Sequence, residues 1–361
     1  MLLHKVVISG GGTGGHIFPA VAIGNEIKKR YPNADILFIG ALGRMEMKKV
    51  PAAGFEIIGL PIVGLQRRLT LANFLVPFKL IKSIFQAKKI IKNFKPQVVI
   101  GVGGYASAAM LYAAASANIP CLIQEQNSYA GITNKWLSKK VKTICVAYDG
   151  MEKFFPKEKI ILTGNPVRAE IANNNNLNQK EAKVALEFDE NKPLILAVGG
   201  SLGARTINNS LQKGLQKIVD NNCQLLWQTG KNFEANTQNF MGVKAQVFIN
   251  EMSIAYAAAD IVISRAGASS ISELTIVRKP LILVPSPNVS EDHQTQNAMA
   301  LVTKNAAILV TDQQAGLELV EKAIALAQNE DLKIELKENI KELAKPNALI
   351  DIVNQIEALI I

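Results

Sequence analysis

Lys5-Val6-Val7-Ile8-Ser9 runs directly into Gly10-Gly11-Gly12-Thr13-Gly14-Gly15-His16. The short run of Val and Ile reads as a buried strand, the glycines as a tight turn, and His16 as the mouth of a helix. Glycine lets backbone N–H groups approach an anion, and a helix N-terminus supplies free donors and a positive dipole end. The pattern recurs twice. Val98-Val99-Ile100 leads to Gly101-Val102-Gly103-Gly104-Tyr105, and Leu194-Ile195-Leu196-Ala197-Val198 leads to Gly199-Gly200-Ser201-Leu202-Gly203-Ala204-Arg205. One such turn is ordinary. Three, spread over both halves, indicate two nucleotide-fold domains that handle phosphate-bearing ligands.

Around these turns, strands and helices alternate. The apolar runs predict strands at 5–9, 35–39, 56–60, 97–101, 120–124, 143–147 and 160–163, then at 193–198, 223–228, 245–248, 260–263, 280–284 and 306–309. Segments such as 16–30, 78–94 and 106–117 have helical composition. This rhythm predicts an α/β protein with two doubly wound parallel sheets. Residues 171–180, with four asparagines at 173–176, read as a polar, structureless break. The boundary falls near Gly164-Asn165-Pro166, giving domains 1–164 and 165–345. The remaining segment, 346–361, carries an apolar-patterned helix at about 348–360 that can pack on either domain, including back on the first.

At 361 residues and 48% apolar content, the chain is long enough for two buried cores. The three cysteines, Cys121, Cys145 and Cys223, lie far apart among apolar neighbours with no metal-ligand spacing, which suits buried thiols in a reducing compartment. No secretory signal is legible. Residues 96–124 carry no charge, but glycines, Asn118 and Pro120 interrupt them, so they read as buried α/β elements rather than a membrane span.

The charge is uneven. Residues 1–164 hold 22 Lys and Arg against 8 Asp and Glu, a net +14, and the remainder nets −4. No acidic residue lies between Glu56 and Glu125. Within that gap Arg67, Arg68, Lys79, Lys82, Lys88, Lys89, Lys92 and Lys95 interleave with Leu71, Phe74, Leu75, Phe78, Ile81, Ile84 and Phe85. Such a half calls for a polyanionic partner: nucleic acid, anionic lipid or anionic substrate. Only 6% aromatic content argues against single-strand nucleic-acid binding.

Gly10, Gly12 and Gly15 satisfy G-x-G-x-x-G, yet the acidic residue expected at the end of the second strand is missing and no Gly-Lys-Ser/Thr follows. A dinucleotide site and a Walker loop are therefore disfavoured. His16, closing this loop, can donate to a phosphate or take a proton from a hydroxyl, or simply cap its helix. Gln124-Glu125-Gln126-Asn127 follows a buried strand, where open parallel sheets bind ligands. Ser264-Arg265-Ala266-Gly267-Ala268-Ser269-Ser270-Ile271-Ser272-Glu273 reads as a small-residue turn into a helix. Glu273 there can accept two neighbouring hydroxyls, as on a ribose, or serve in capping. Asp292-His293-Gln294 with Asn297 offers groups that suit sugar hydroxyls.

Seven motifs together carry a resemblance: Gly-Gly-Thr-Gly-Gly-His at 11–16, Gly-Gly-Tyr at 103–105, Glu-Gln-Asn-x-x-x-Gly-x-x-Asn-Lys at 125–135, Gly-Asn-Pro-Val-Arg at 164–168, Gly-Gly-Ser-x-Gly-Ala-Arg at 199–205, Ser-Arg-Ala-Gly-Ala at 264–268 with Ser272-Glu273, and His-Gln-x-x-Asn at 293–297. In this order, over nearly the whole chain, they resemble the MurG family. That family moves N-acetylglucosamine from UDP-N-acetylglucosamine to undecaprenyl-pyrophosphoryl-N-acetylmuramyl-pentapeptide, lipid I, in peptidoglycan synthesis. The resemblance implies a GT-B fold, two Rossmann-like domains with a cleft between them.

By that resemblance the C-terminal domain binds the donor. Arg168 and the backbone of Ile249 frame the uracil, and Glu273 takes the ribose hydroxyls. Ser201 holds the diphosphate with the turn through Ala268, Ser269, Ser270, Ile271 and Ser272 alongside. Gln294 and Asn297 read the sugar, joined by Thr13, Gly14, Gly15 and Asn127. The N-terminal domain receives lipid I at Gly12, Gly104, Tyr105 and Asn134. Many relatives have His at Gln124, so a base there is excluded in this chain, and some have Gln at His293.

The implied reaction inverts the anomeric carbon in one displacement, with His16 as base and Glu125 as its rival. Helix N-termini and arginines can stabilise the departing diphosphate, so neither metal nor cofactor is expected. Phe74, Leu75, Phe78, Lys79, Lys82 and Phe85 are expected to dock on the anionic cytoplasmic face of the plasma membrane, with Pro77 starting or kinking their helix. The alternative makes the phenylalanines core and the lysines a solvated face. No nucleic-acid partner is expected; other cell-wall synthesis proteins are candidate partners. Rival enzymes are a glycosyltransferase acting on diacylglycerol and a UDP-sugar epimerase on the same scaffold.

Overall fold

The computed structural model describes residues 2–62, 76–168, 171 and 178–360. It divides into two compact units, Met1–Val167 with Asn347–Ile361, and Arg168–Pro346.

The first unit is built on seven parallel strands: β1 (Lys5–Ser9), β2 (Asp35–Ala41), β3 (Glu56–Leu60), β4 (Val98–Gly101), β5 (Cys121–Glu125), β6 (Thr143–Val146) and β7 (Ile160–Leu162). Their order is β3-β2-β1-β4-β5-β6-β7. The order reverses between β1 and β4, which pair with Ile8 opposite Ile100 and Ser9 opposite Gly101. Ligands bind open parallel sheets at such a reversal, beyond the carboxyl ends of the strands. Helices α1 (Gly14–Arg30), α2 (Glu46–Ala52), α3 (Val76–Phe94), α4 (Tyr105–Ser116) and α5 (Ile132–Leu137) cover the sheet. Both faces are buried, so β1, β4 and β5 are near-continuously apolar rather than alternating.

The second unit repeats the plan with β8 (Leu194–Val198), β9 (Gln224–Gln228), β10 (Val243–Gln246), β11 (Ile261–Ser264), β12 (Leu281–Leu283) and β13 (Ile308–Leu309). The order is β10-β9-β8-β11-β12-β13, again reversing beside its first strand. Its helices are α6 (Gln179–Ala185), α7 (Arg205–Asp220), α8 (Met252–Ala258), α9 (Ala268–Val277), α10 (His293–Val302), α11 (Ala315–Gln328) and α12 (Glu330–Lys341). Helix α13 (Ala348–Ala358) then belongs to the first unit. Its Ile352, Val353 and Ile356 join Ile23 and Ile27 of α1 in one core. Arg30 Nη1 donates to Glu357 Oε1 at 2.9 Å and to Asn354 Oδ1 at 2.7 Å.

Two expectations need correction. The strand expected at 245–248 is Val243–Gln246, because Val243 pairs with Leu225 in parallel register while Val247 and Phe248 are 53% and 52% exposed. Of the break expected at 171–180, residues 172–177 lie outside the described residues, Ile171 is helical and buried, and Asn178 caps α6, its side chain accepting from the Lys180 N–H at 2.9 Å, so Gln179 and Lys180 are helical.

Helix α3 buries Ser83, Ala87, Ile90 and Ile91. Its opposite face exposes Phe78 (71%), Ile81 (52%) and Phe85 (67%), with Lys82, Lys88, Lys89 and Lys92 also exposed and Lys79 half-buried. The core alternative therefore fails for Phe78 and Phe85. Pro77 is the second residue of the helix, where its missing N–H costs nothing. Phe74 and Leu75, with Arg67, Arg68 and Leu71, lie outside the described residues. Among the described residues no helix is long and apolar enough to cross a membrane, and no cluster of His, Cys, Asp and Glu is arranged to hold a metal ion. All three cysteines are buried and free, and burial pushes the Cys121 and Cys145 thiols up to about 12.

Candidate active-site elements in the two units

In the first unit two glycine turns interlock beside the sheet reversal. The Gly11 N–H donates to the Gly103 carbonyl at 3.3 Å. Gly103 and Gly104 have φ of +99° and +88°, and a Cβ at Gly104 would lie 2.6 Å from the Gly11 carbonyl oxygen. A Cβ at Gly103 would lie 2.7 Å from His16 Nε2. Only glycine leaves room for this imidazole.

His16, in the first turn of α1, is half-buried, and its Nδ1 lies 2.9 Å from the Gly11 carbonyl oxygen. A carbonyl can only accept, so Nδ1 carries a proton, and in the neutral ring Nε2 is the acceptor. Thr13 Oγ1 lies 3.4 Å from the same Nδ1. Thr13, Gly12 and Gly15 are exposed along the turn. Tyr105 opens α4 and is 38% exposed.

Beneath this turn lies a residue the motifs did not reveal. Glu46, the first residue of α2, is fully buried. Its Oε2 accepts from the Gly12 N–H at 2.9 Å and its Oε1 from the Ala41 N–H at 3.0 Å. A Cβ at Gly11 would strike Glu46 Oε1 at 2.2 Å. The only signal in the sequence is an acidic residue shortly after β2, turned inward instead of toward a ribose. With its N–H taken by a carboxylate, Gly12 does not offer the anion cradle its position suggested.

Glu125, at the end of β5, is buried and saturated. Oε1 accepts from the Asn127 N–H at 3.0 Å and from Asn127 Nδ2 at 3.4 Å. Oε2 accepts from the Gly131 N–H at 3.1 Å and Asn134 Nδ2 at 2.8 Å. A carboxylate has about four lone-pair sites, so Glu125 is the clamp of the 125–134 loop. Asn134 is likewise buried, with its Nδ2 given to Glu125. Of the two candidate bases, Glu125 has its acceptor sites occupied, and His16 is bonded through Nδ1. Gln124 is buried, its Nε2 donating to Asn165 Oδ1 at 2.8 Å.

In the second unit a cavity of about 670 Å³ opens beside the corresponding sheet reversal. Gly199, Gly200 and Gly203 of the turn after β8 line it, with Arg205 at the start of α7, Arg265 after β11, Ser270 of α9 and Gln294 of α10. Arg265 Nη1 donates to Asp312 Oδ1 at 2.6 Å and to the carbonyls of Val284 and Pro285 at 3.0 Å each. Asp312 Oδ2 accepts from Thr206 Oγ1 at 2.8 Å. Arg205 and Arg265 sit inside the quoted motifs, but nothing in the sequence singled them out. A glycine turn, two helix N-termini and two guanidinium groups, with the Asp312 carboxylate also on the wall, are groups that can receive an anion. The volume falls within the range of small-ligand pockets.

Ser201 is exposed at the tip of its turn and is not among the lining residues. Gln294 Oε1 accepts from the Ser286 N–H at 2.8 Å. Asn297 is fully buried and donates to the Ala266 carbonyl at 3.3 Å, supporting the turn before α9. Ala268 and Ile271 are buried, Ser269 is half-buried, and Ser272 Oγ donates back to the Ala268 carbonyl at 2.9 Å. His293 is half-buried at the start of α10. The Ile249 N–H donates to Gln228 Oε1 at 3.0 Å, and Ile249 is buried.

Arg168 forks onto Glu273, Nε to Oε1 at 2.8 Å and Nη2 to Oε2 at 3.0 Å. The Tyr256 hydroxyl is a third donor to the same carboxylate, which leaves one of its about four lone-pair sites. Burial pushes the Tyr256 hydroxyl well above the usual phenol range, and the neighbouring Glu273 carboxylate adds to the shift while Arg168 opposes it. Tyr256 thus remains a neutral donor against Glu273.

Two parallel sheets, each reversing its strand order beside its first strand, make a GT-B fold. Residues 6–146 match the glycosyltransferase family 28 N-terminal domain and residues 194–356 its C-terminal domain. The chain is 54% identical over 355 residues to a Cytophaga hutchinsonii protein named UDP-N-acetylglucosamine–N-acetylmuramyl-(pentapeptide) pyrophosphoryl-undecaprenol N-acetylglucosamine transferase, covering 98% of this chain and 96% of that one. A Phocaeicola vulgatus protein of the same name is 54% identical over 347 residues, covering 94% and 92%. The crystal structure of Acinetobacter baumannii MurG superposes with a TM-score of 0.80 at 29% identity, covering 98% and 99%. This chain belongs to the MurG family.

Proposed function

We propose that this chain transfers N-acetylglucosamine from UDP-N-acetylglucosamine to the C4 hydroxyl of N-acetylmuramic acid in lipid I, forming lipid II with inversion at the anomeric carbon. The observation that carries this reading is the second-unit cavity, where a glycine turn and two arginines converge. Arg205, Arg265 and the N-termini of α7 and α9 receive the diphosphate. Glu273, steadied by Arg168, accepts the ribose hydroxyls, and the Ile249 carbonyl accepts from the uracil N3–H.

The displacement then balances without a covalent enzyme intermediate. The acceptor O4–H bond breaks and its proton passes to His16 Nε2. A bond forms from O4 to the anomeric carbon, and the bond from that carbon to the β-phosphate oxygen breaks with its electron pair, releasing UDP. Positive groups fixed at the diphosphate stabilise the charge that develops there.

Phe78, Ile81 and Phe85, with the lysines of α3, form an apolar face rimmed by positive charge, suited to the surface of an anionic membrane that holds the acceptor. Incubating the protein with UDP-N-acetylglucosamine and lipid I is the test. UDP and a lipid-linked disaccharide should appear in equal amounts. Free sugar without lipid acceptor would identify an epimerase, and product only with diacylglycerol would move the chain to the other lipid class.

A further inference from the structure

Glu46 and His16 are thirty residues apart in sequence, yet they hold the two ends of one peptide group. The Gly11–Gly12 amide receives the His16 Nδ1–H on its carbonyl at 2.9 Å and gives its own N–H to Glu46 Oε2 at 2.9 Å. The other carboxylate oxygen is tied to the Ala41 N–H at 3.0 Å, at the end of β2. Glu46 is fully buried, and the Gly40 and Gly11 backbones close around its side chain. A negative acceptor on an amide N–H draws density from nitrogen to oxygen and makes the carbonyl a stronger acceptor, the cooperativity of hydrogen bonds in series.

We propose that Glu46 is the positioning residue of the transfer reaction, fixing through the Gly11–Gly12 peptide the His16 tautomer whose Nε2 lone pair faces the acceptor. The arrangement is a carboxylate–imidazole pair with one peptide group inserted between the partners. The inference rests on the reading of His16 as base. It adds that the imidazole depends on a group that touches no substrate.

The experiment uses the full-length protein and the variants Glu46→Gln and Glu46→Asp. Glutamine keeps the size but places an NH₂ against one of the two backbone N–H groups, so one of those bonds is lost. Aspartate withdraws the carboxylate by one methylene. With only three histidines in the chain, ¹⁵N-histidine spectra resolve His16 by comparison with His16→Ala. The wild type should show His16 as the Nδ1–H tautomer, and both variants should shift it toward Nε2–H. In Glu46→Gln, kcat should fall roughly 10–100-fold, part of the about 10²–10⁴-fold that base catalysis supplies. KM for both substrates and affinity for UDP should change by no more than about 3-fold. On the His16→Ala background, Glu46→Gln should cost almost nothing further. An unchanged tautomer in both variants, or an equal kcat loss on both backgrounds, overturns the proposal. If His16→Ala alone retains turnover, the base reading fails, and the spectra still decide whether Glu46 sets the tautomer. Circular dichroism melting of each variant separates loss of fold from loss of positioning, and Glu46→Asp, retaining a carboxylate, carries the test if Glu46→Gln melts early.

Discussion

The turns Gly10–Gly15 and Gly199–Gly203 look alike in sequence and occupy the same place in their sheets, after the first strand and beside the reversal of strand order. Their uses differ. In the first, the Gly12 N–H is taken by Glu46, the Gly11 N–H by Gly103, and the Gly11 carbonyl by His16. One of these bonds holds the turn to its neighbour, and the other two hold the Glu46 and His16 side chains. In the second, the glycines line a cavity and arginines stand around it. Glycine grants a backbone freedom to turn and to be approached, and the neighbours decide what approaches: a carboxylate and an imidazole in one case, open space flanked by guanidinium groups in the other.

The sharpest way to break this contrast is His16→Ala. It should lower kcat by about 10²–10⁴-fold and leave UDP affinity, measured by calorimetry, nearly unchanged. Near-native turnover at saturating substrate would leave the first turn without its chemical role.

The contrast extends to charge, because the basic excess lies wholly in the first half of the chain. Reversing Lys79, Lys82, Lys88 and Lys89 to Glu should weaken binding to anionic vesicles severely, since each basic residue at such a surface contributes about 1 kcal/mol. Transfer to bilayer-held lipid I should slow while transfer to a short-chain soluble acceptor stays intact. Equal loss on both acceptors would remove the membrane role from α3.

Changes around the second turn should act on the donor. Glu273→Ala and Arg265→Met should each weaken UDP binding by about 1.5–3 kcal/mol, the worth of a charged hydrogen bond. Calorimetric affinity within about 2-fold of wild type for either would sink its assignment. The smallest effects come from a matched pair. Gly12 and Gly200 have φ of +88° and +87°, and a Cβ at either meets nothing within 4 Å. Alanine at each should cost about 1–2 kcal/mol of stability through backbone strain alone. The kinetic signatures should separate: Gly12→Ala should lower kcat, and Gly200→Ala should raise donor KM. Identical signatures would mean that the two turns do the same work.

Much of this was legible because it is written locally. Buried parallel strands leave apolar runs, so β1, β4, β8 and β11 stand out, and glycine turns mark their carboxyl ends. The displaced strand β10 shows the limit, since Val247 and Phe248 look like strand and are in fact exposed. Side-chain partnerships across elements were not legible. Glu125 reads as a site residue because it is polar and ends a strand, and Asn134 because the family motif carries it, yet Asn134 Nδ2 is given to Glu125 Oε2. Asn297 spends its amide on the Ala266 carbonyl. Arg265 gained significance only once Asp312, 47 residues on, was seen to hold it. Glu46 has no motif at all; its meaning comes from the Gly12 N–H that folding brings to it.

The return of α13 to the first unit also bears on how the protein is made. Residues 347–360 are translated after the whole of Arg168–Pro346, yet Ile352, Val353 and Ile356 complete a core begun by Val6 and Ile8. On the ribosome the second unit is contiguous and can close on itself while the first still lacks a helix. The usual vectorial order, amino-terminal domain first, is therefore inverted. The half that carries His16 and the apolar face of α3 is finished last, after the half that holds the cavity has already taken shape.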